Sequence, residues 1–223
     1  MDITSVIRLV MECTAAVIGF FVKSRKGIDY LPPISDPILL QSATELADKI
    51  KNRVIKSELV VRAFIERIRA ADGFVNAVVD ERYEDAIAEA RAIDQQIEAG
   101  ASADLLAKPF LGVPFSGKDS IAVAGLKFTA GLVCRRDEIA YEDAGAVANL
   151  KKAGAICICI TNVPEFCFWF DSDNKVHGRT NNPYDLSRIP GGSTGGNAAL
   201  IAYAGSVIGN AGVYPICLFL HNL

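Results

Sequence analysis

The segment from Ala155 to Ile160 is apolar at every position, and it constrains the fold more than any other part of the sequence. A glycine, Gly154, stands before this run, and the turn-forming residues Asn162-Val163-Pro164 follow it. A run this short, bounded by such residues, is typical of a buried strand. The preceding residues 143–153 have helical spacing. A helix that leads directly into a buried strand predicts an α/β fold with a partly parallel sheet.

The rest of the chain continues this alternation of helices and strands. Ser42 and Glu45 form a capping box that opens a first helix ending near Arg53, and Ser57 is predicted to cap a second helix. Residues 84–99 and 197–204 have the pattern of further helices. The remaining predicted strands are residues 74–79, 111–115, 121–124 and 206–209.

Charge and cysteine usage exclude several classes of function. The chain has 223 residues, with 23 Lys and Arg against 26 Asp and Glu, and it contains no basic stripe. We therefore expect no nucleic-acid partner. The six cysteines include no C-x-x-C pair, and the two histidines are His177 and His221, so no set of metal ligands is expected. Cys157 and Cys159 alternate in the apolar run and are predicted to be buried on one side of the sheet.

The N-terminus is predicted to associate with a membrane. Residues 3–22 are mostly apolar and are followed by Lys23, Arg25 and Lys26, which favours a short membrane helix or interfacial helix with the body facing the cytosol. We expect residues 1–26 to form this anchor and its basic flank. The proline-rich residues 27–41 then form a linker. These features predict a membrane-associated protein of an endomembrane.

Two short segments contain the residues best suited to chemistry. Residues 112–119 (GVPFSGKD) end a strand and carry Lys118 into a loop, and residues 191–196 (GGSTGG) place Ser193 before a helix. Each has a structural explanation, since a lysine is usually solvated and Ser193 could simply cap the helix. The glycines could also bind an anion or a nucleotide, although the Walker pattern fails because Asn197 follows the last glycine.

Taken together, linked motifs in a fixed order resemble the amidase-signature family. They are GVPFSxKD at 112–119, TAG at 129–131, the DAxxVxxLxxAGA pattern from Asp143, TNxPEF at 161–166, GRTNNPYD at 178–185 and GGSTGG at 191–196. The resemblance covers residues 43 to about 209. It implies a mixed central sheet flanked by helices. The segment CxW at 167–169 with DSDN at 171–174, and the apolar N-terminus, resemble the fatty-acid amide hydrolase 2 branch of the family.

The resemblance implies a serine hydrolase with a Ser–Ser–Lys triad that cleaves the amide bond of small-molecule lipid amides. In that family the residue corresponding to Lys118 acts as base and then as acid. Ser193 corresponds to the serine that relays the proton, usually next to a cis peptide bond. The nucleophile is a second serine, in an Asp-x-Gly-Gly-Ser segment roughly two dozen residues later. The reaction needs neither a metal nor another cofactor, and no substrate-binding residue can be assigned.

The sequence departs from this pattern after Gly209. No serine follows Ser206, and Cys217, 24 residues after Ser193, lacks the flanking glycines that an oxyanion hole would need. We therefore expect residues 42–209 to be the N-terminal part of an amidase domain, incomplete at its C-terminus. Residues 210–223 form a divergent tail. The chain is expected to be a truncated, inactive hydrolase of this type.

A second hypothesis stays open. The chain could be a non-catalytic, membrane-tethered binding or regulatory module that pairs with a full-length homologue or with a second copy of itself.

Overall fold

The computed structural model describes residues 31–210, together with Met11 and Thr14. The chain divides into two units, Met1–Tyr30 and Leu31–Leu223. The predicted anchor, apart from those two residues, and the predicted tail beyond residue 210 lie outside the described part. Among the described residues, no helix has the length and apolar character needed to cross a bilayer. The predicted N-terminal membrane helix is therefore unconfirmed.

The described elements alternate between helices and strands, as predicted. The helices are α1 (Ala43–Lys51), α2 (Ser57–Val75), α3 (Tyr83–Glu98), α4 (Ala103–Leu106), α5 (Gly145–Lys152) and α6 (Gly195–Ala202). The strands are β1 (Val78–Glu81), β2 (Pro114–Lys118), β3 (Ile156–Thr161), β4 (Asp173–Asn174), β5 (Gly178–Arg179) and β6 (Ile208–Gly209). Short 3₁₀ helices occupy Pro37–Leu40, Val133–Arg135 and Glu165–Cys167.

A mixed four-stranded sheet with the order β1-β3-β2-β6 forms the centre of the fold. Strand β2 is parallel to both β3 and β6, whereas β1 is antiparallel to β3. All residues of β2 and β3 are buried, as expected for parallel strands covered on both faces. The predicted α/β class is confirmed, and residues 156–160 of the apolar run lie in β3, one of the two inner strands.

The first turn of α2 is capped by a different residue from the one predicted. The helix begins at Ser57 itself, and the Ser57 hydroxyl donates a hydrogen bond to the Gly112 carbonyl at 2.8 Å. The free amides of the first turn donate instead to the carboxylate of Asp94 on α3: Ser57 N to Oδ1 at 2.7 Å and Glu58 N to Oδ2 at 3.0 Å. A carboxylate satisfies these amides and interacts favourably with the helix dipole. The cap is thus supplied by the neighbouring helix.

Three predicted strands differ from the structure: one is absent and two are displaced along the chain. Helix α2 continues to Val75, and its C-cap Asn76 has a φ of 57°. Strand β1 therefore begins only at Val78. Residues 121–124 form no strand, because the chain turns directly after β2 and the Ile121 amide donates to the Lys118 carbonyl at 2.7 Å. Strand β2 itself starts and ends three residues later than predicted. Lys118 is therefore its last residue rather than a loop residue.

Cys157 and Cys159 are buried, but they pack on different sides of the sheet. Cys157 belongs to the cluster around Phe115, whereas Cys159 packs with Ile156 and Ile158 in the larger cluster against the helices. An irregularity in the β2–β3 register, which pairs Cys157 with Phe115 and Cys159 with Ser116, breaks the alternation. Burial raises the pKa of the Cys157 thiol to about 12 and that of Cys159 well above its ordinary value, so both stay protonated.

The contact between Gly112 and Ser57 should tolerate no side chain. A Cβ at Gly112, where φ is +74°, would lie 2.5 Å from Ser57 Oγ. We expect Gly112→Ala to lower the free energy of unfolding by about 2–5 kcal/mol, from the strained φ and the overpacking together. Gly100→Ala is the matched control, because Gly100 also has a positive φ (+98°) but a Cβ there would have no atom within 4 Å.

Chemical denaturation of the three proteins measures the difference. The control is expected to lose only about 1–2 kcal/mol. Equal losses for the two variants would show that the Ser57 contact adds nothing to the cost.

Candidate active site

Lys118 lies at the carboxyl end of the buried strand β2, where its amine meets two hydroxyl groups. The side chain is fully buried. Its Nζ donates to Ser193 Oγ at 2.8 Å and to Thr194 Oγ1 at 3.1 Å. The structure therefore brings together the two residues singled out in the sequence, which are 75 positions apart. Burial of an amine disfavours its charged form, which is the condition under which it can accept a proton from a hydroxyl group.

Two glycines of the loop that carries Ser193 pack too closely against neighbouring backbone to be replaced by larger residues. A Cβ at Gly192 would lie 2.2 Å from the Trp169 carbonyl oxygen, and one at Gly196 would lie 2.4 Å from the Asn162 carbonyl oxygen. The Gly192–Ser193 peptide bond is cis, as the resemblance implied. The glycines therefore permit close backbone contact on both sides of Ser193.

Ser193 does not cap helix α6. The N-cap residue is Thr194, and this helix has no side-chain cap. The purely structural explanation of Ser193 as a cap is therefore wrong. Its side chain is buried against Lys118 instead.

A second buried group lies directly after Lys118. The Asp119 carboxylate accepts hydrogen bonds from the Thr129 amide (2.8 Å, at Oδ1) and from the Thr129 hydroxyl, and His177 Nε2 lies 3.5 Å from Oδ2. His177 Nε2 is also 3.2 Å from Thr129 Oγ1. Because that hydroxyl donates to Asp119, it can accept from His177, which favours a proton on Nε2. Asp119 thus holds the segment at 129–131 beside the end of β2.

Asn197 connects three elements below the glycine loop. Its side-chain oxygen accepts from Ser116 Oγ at 2.6 Å, and its amide nitrogen donates to the Asn210 carbonyl at 2.8 Å. The Asn210 amide in turn donates to the Ser116 carbonyl at 2.8 Å. Helix α6, strand β2 and the chain leaving β6 are therefore held together through one buried amide.

Sequence reasoning missed the roles of Asp119, Thr129, His177 and Asn197. The sequence indicated Asp119 and Thr129 only as members of motifs, and it indicated His177 only as a possible metal ligand. The available signal for Asp119 and Thr129 was that they are polar members of the motifs at 112–119 and 129–131, whereas His177 and Asn197 stand directly outside the motifs at 178–185 and 191–196. Among the residues that the structure describes, no group of three His, Cys, Asp or Glu side chains could hold a metal ion.

Comparison with known proteins agrees with this geometry. The model of the family described as Amidase matches residues 59–212. The chain belongs to the amidase family. Fatty-acid amide hydrolase 2 of Homo sapiens is 44% identical over 180 residues, which are 79% of this chain and 34% of that protein. Fatty-acid amide hydrolase 2-A of Danio rerio is 42% identical over 193 residues, 85% of this chain and 36% of that protein.

A solved structure titled fatty acid amide hydrolase superposes with a TM-score of 0.73 at 29% identity, covering 78% of this chain and 31% of that one. The mixed α/β fold is therefore that of an amidase related to fatty-acid amide hydrolase. The chain spans about a third of the length of these relatives.

The Asp119 cluster should stabilise the site. We expect Asp119→Ala to lower the free energy of unfolding by about 2–4 kcal/mol, because two buried donors of Thr129 lose a charged acceptor. Asp137→Ala serves as the control, since the Asp137 side chain is 96% exposed, and it should change stability by less than about 0.5 kcal/mol. Denaturation curves compare the two variants, and similar values for both would contradict the interpretation.

Proposed function

We propose that this amidase-family chain carries the proton-transfer half of a Ser–Ser–Lys hydrolase site. The observation that carries the proposal is the 2.8 Å hydrogen bond between the buried Lys118 amine and the buried Ser193 hydroxyl. Such a pair can move a proton between a nucleophile and a leaving group.

In the proposed reaction, neutral Lys118 accepts a proton from Ser193 as Ser193 takes the proton of a nucleophilic serine. The nucleophile attacks the carbonyl carbon of an amide, and the same two groups return a proton to the departing amine. An acyl-enzyme results, which water then hydrolyses. The chain's own contribution is to hold Nζ and Oγ in contact and to keep water away from both.

The nucleophile and the oxyanion-hole donors of the proposed reaction are not among the residues that we assign to it, which are Lys118 and Ser193. The sequence contains no serine after Ser206, whereas the family pattern places the nucleophile in a Gly-Gly-Ser segment. We propose that these 223 residues on their own are inactive, and that the complete site hydrolyses fatty-acid amides. The relation to the two fatty-acid amide hydrolase 2 proteins supports that substrate class.

A chimera tests this assignment. Residues 1–209 would be joined to the part of human fatty-acid amide hydrolase 2 that corresponds to the region beyond residue 209. We expect the chimera to hydrolyse a long-chain fatty-acid amide and to react with a fluorophosphonate probe of catalytic serines, while the 223-residue chain does neither.

Lys118→Ala in the chimera should lower the rate of hydrolysis by about 10²–10⁴-fold, because the base is lost. The exposed lysine Lys152 provides the control, and Lys152→Ala should leave the rate unchanged. An equally active Lys118→Ala chimera, or strong labelling of the 223-residue chain, would refute the proposal.

We also propose that residues 3–22 anchor the chain in an endomembrane, with the body facing the cytosol. The apolar run followed by Lys23, Arg25 and Lys26 supports this orientation.

Carbonate extraction of membranes from cells that express the protein tests whether residues 3–22 hold the chain in the membrane. The full chain should stay in the membrane pellet, and a chain lacking residues 1–26 should lose this retention. Release of the intact full chain by carbonate would exclude a spanning anchor.

A further inference from the structure

Helix α6 connects the candidate site to a buried tyrosine at its other end. Ser193 and Thr194 precede its first residue, and Tyr203 directly follows its last. The eight residues of the helix span about 12 Å. A helix this short shifts as a unit, because its backbone hydrogen bonds join one end to the other. The position of Ser193 therefore depends on the contacts that hold Tyr203.

Two charged side chains of α2 hold Tyr203, one at its backbone and one at its hydroxyl. Arg67 Nε donates to the Tyr203 carbonyl at 2.7 Å, and the Tyr203 hydroxyl donates to Asp72 Oδ1 at 3.0 Å. Tyr203 is 2% exposed and Arg67 is 7% exposed. A positive charge beside a carbonyl at the end of a helix also interacts favourably with the helix dipole. We call Arg67, Asp72 and Tyr203 the α2–α6 clamp.

Asp72 is also connected to the first turn of α6. The oxygen that accepts from Tyr203 accepts from the Ala77 amide at 2.8 Å, and the Ala77 carbonyl accepts from the Asn162 amide at 2.8 Å. The Asn162 backbone packs against Gly196, where a Cβ would lie 2.4 Å from the Asn162 carbonyl oxygen. Asp72 thus belongs to chains of contacts that reach both ends of the helix.

The contact that depends on the placement of α6 is the one between Lys118 Nζ and Ser193 Oγ, at 2.8 Å. A shift of the helix by about 1 Å would lengthen this distance beyond that of a hydrogen bond. Proton transfer requires the two groups to be in contact, so a displacement of this size would slow a reaction that uses them.

We propose that Arg67, Asp72 and Tyr203 are positioning residues of the candidate hydrolase site. By clamping the far end of α6 they hold the Ser193 hydroxyl within hydrogen-bond distance of the Lys118 amine. This inference rests on the proposed function and deepens it, since the clamp acts through the helix and not on the reacting atoms.

Tyr203→Phe tests the clamp, because it removes the hydroxyl and leaves the ring in the core. In the 223-residue protein, brief acylation with acetic anhydride would measure the accessibility of the Lys118 amine. Alkylation of Cys159, which is fully buried in β3, would measure opening of the whole sheet. We expect Lys118 acylation to rise about 3–10-fold relative to Cys159 alkylation, the range that corresponds to the loss of one hydrogen bond.

Asp94→Ala is the matched control. It removes a carboxylate that accepts from two amides at the other end of α2, so it destabilises the same helix without touching the clamp. Lys118 acylation and Cys159 alkylation should rise by the same factor in this control. Asp72→Ala should raise the ratio at least as much as Tyr203→Phe does. Adding Tyr203→Phe to Asp72→Ala should have no further effect, because the hydroxyl has already lost its acceptor.

The chimera described above supplies a kinetic measurement of the same clamp. Tyr203→Phe should lower kcat about 3–10-fold and leave KM unchanged, because the clamp positions the proton-transfer groups and not the substrate. Asp94→Ala should change neither constant at a temperature at which circular dichroism shows that the protein is folded.

An unchanged ratio of Lys118 to Cys159 labelling in Tyr203→Phe would overturn the inference. So would an unchanged kcat for this variant in an active chimera. A raised labelling ratio together with an inactive chimera would refute the hydrolase proposal and support the clamp, so the two failures are distinguishable.

Discussion

The parallel pairing of β2 with β3 is the feature that positions everything else in the fold. Because both strands are buried along their whole length, whatever stands at the carboxyl end of β2 is delivered into the interior. That residue is Lys118, and Thr161 lies beside it in the register. A lysine amine in such a place must find polar partners, since an unpartnered buried amine would destabilise the fold. The hydroxyls of Ser193 and Thr194 meet this need and create the candidate site in doing so.

The polar groups around this pair are themselves held by buried partners. Asp119 is bound by Thr129, and Asn197 bridges Ser116 and the Asn210 carbonyl. The Ser172 hydroxyl donates to the Gly191 carbonyl at 3.0 Å, which fixes the start of the glycine loop. Buried polar networks of this kind specify one geometry because each alternative arrangement leaves a donor or acceptor unsatisfied. The candidate site is thus positioned by hydrogen bonds rather than by apolar packing alone.

Local patterns predicted the type of an element well where the residues have clear helical spacing or form a continuous apolar run. The helices α1 and α3 and the strand β3 follow from capping residues, helical spacing and continuous apolar character. Element ends were predicted poorly. Helix α2 extends to Val75 through residues with strand-like composition, and its cap comes from Asp94, a residue 37 positions from Ser57. Such a partner cannot be recognised from neighbouring residues, because two helices must pack before the carboxylate reaches the amides.

Residue order alone was enough to predict the α/β class and the amidase family and to single out Lys118 and Ser193 as candidate residues, because these predictions depend on local patterns and on motifs of neighbouring residues. The folded chain was needed to show that Lys118 ends a strand and is buried, that Asp119 binds Thr129, and that Asn197 joins three elements. It was also needed to reveal the register irregularity that separates Cys157 from Cys159. These features depend on contacts between residues far apart in the chain. These contacts form, and contribute to the stability of the fold, only after the sheet and the segments that cover it have assembled.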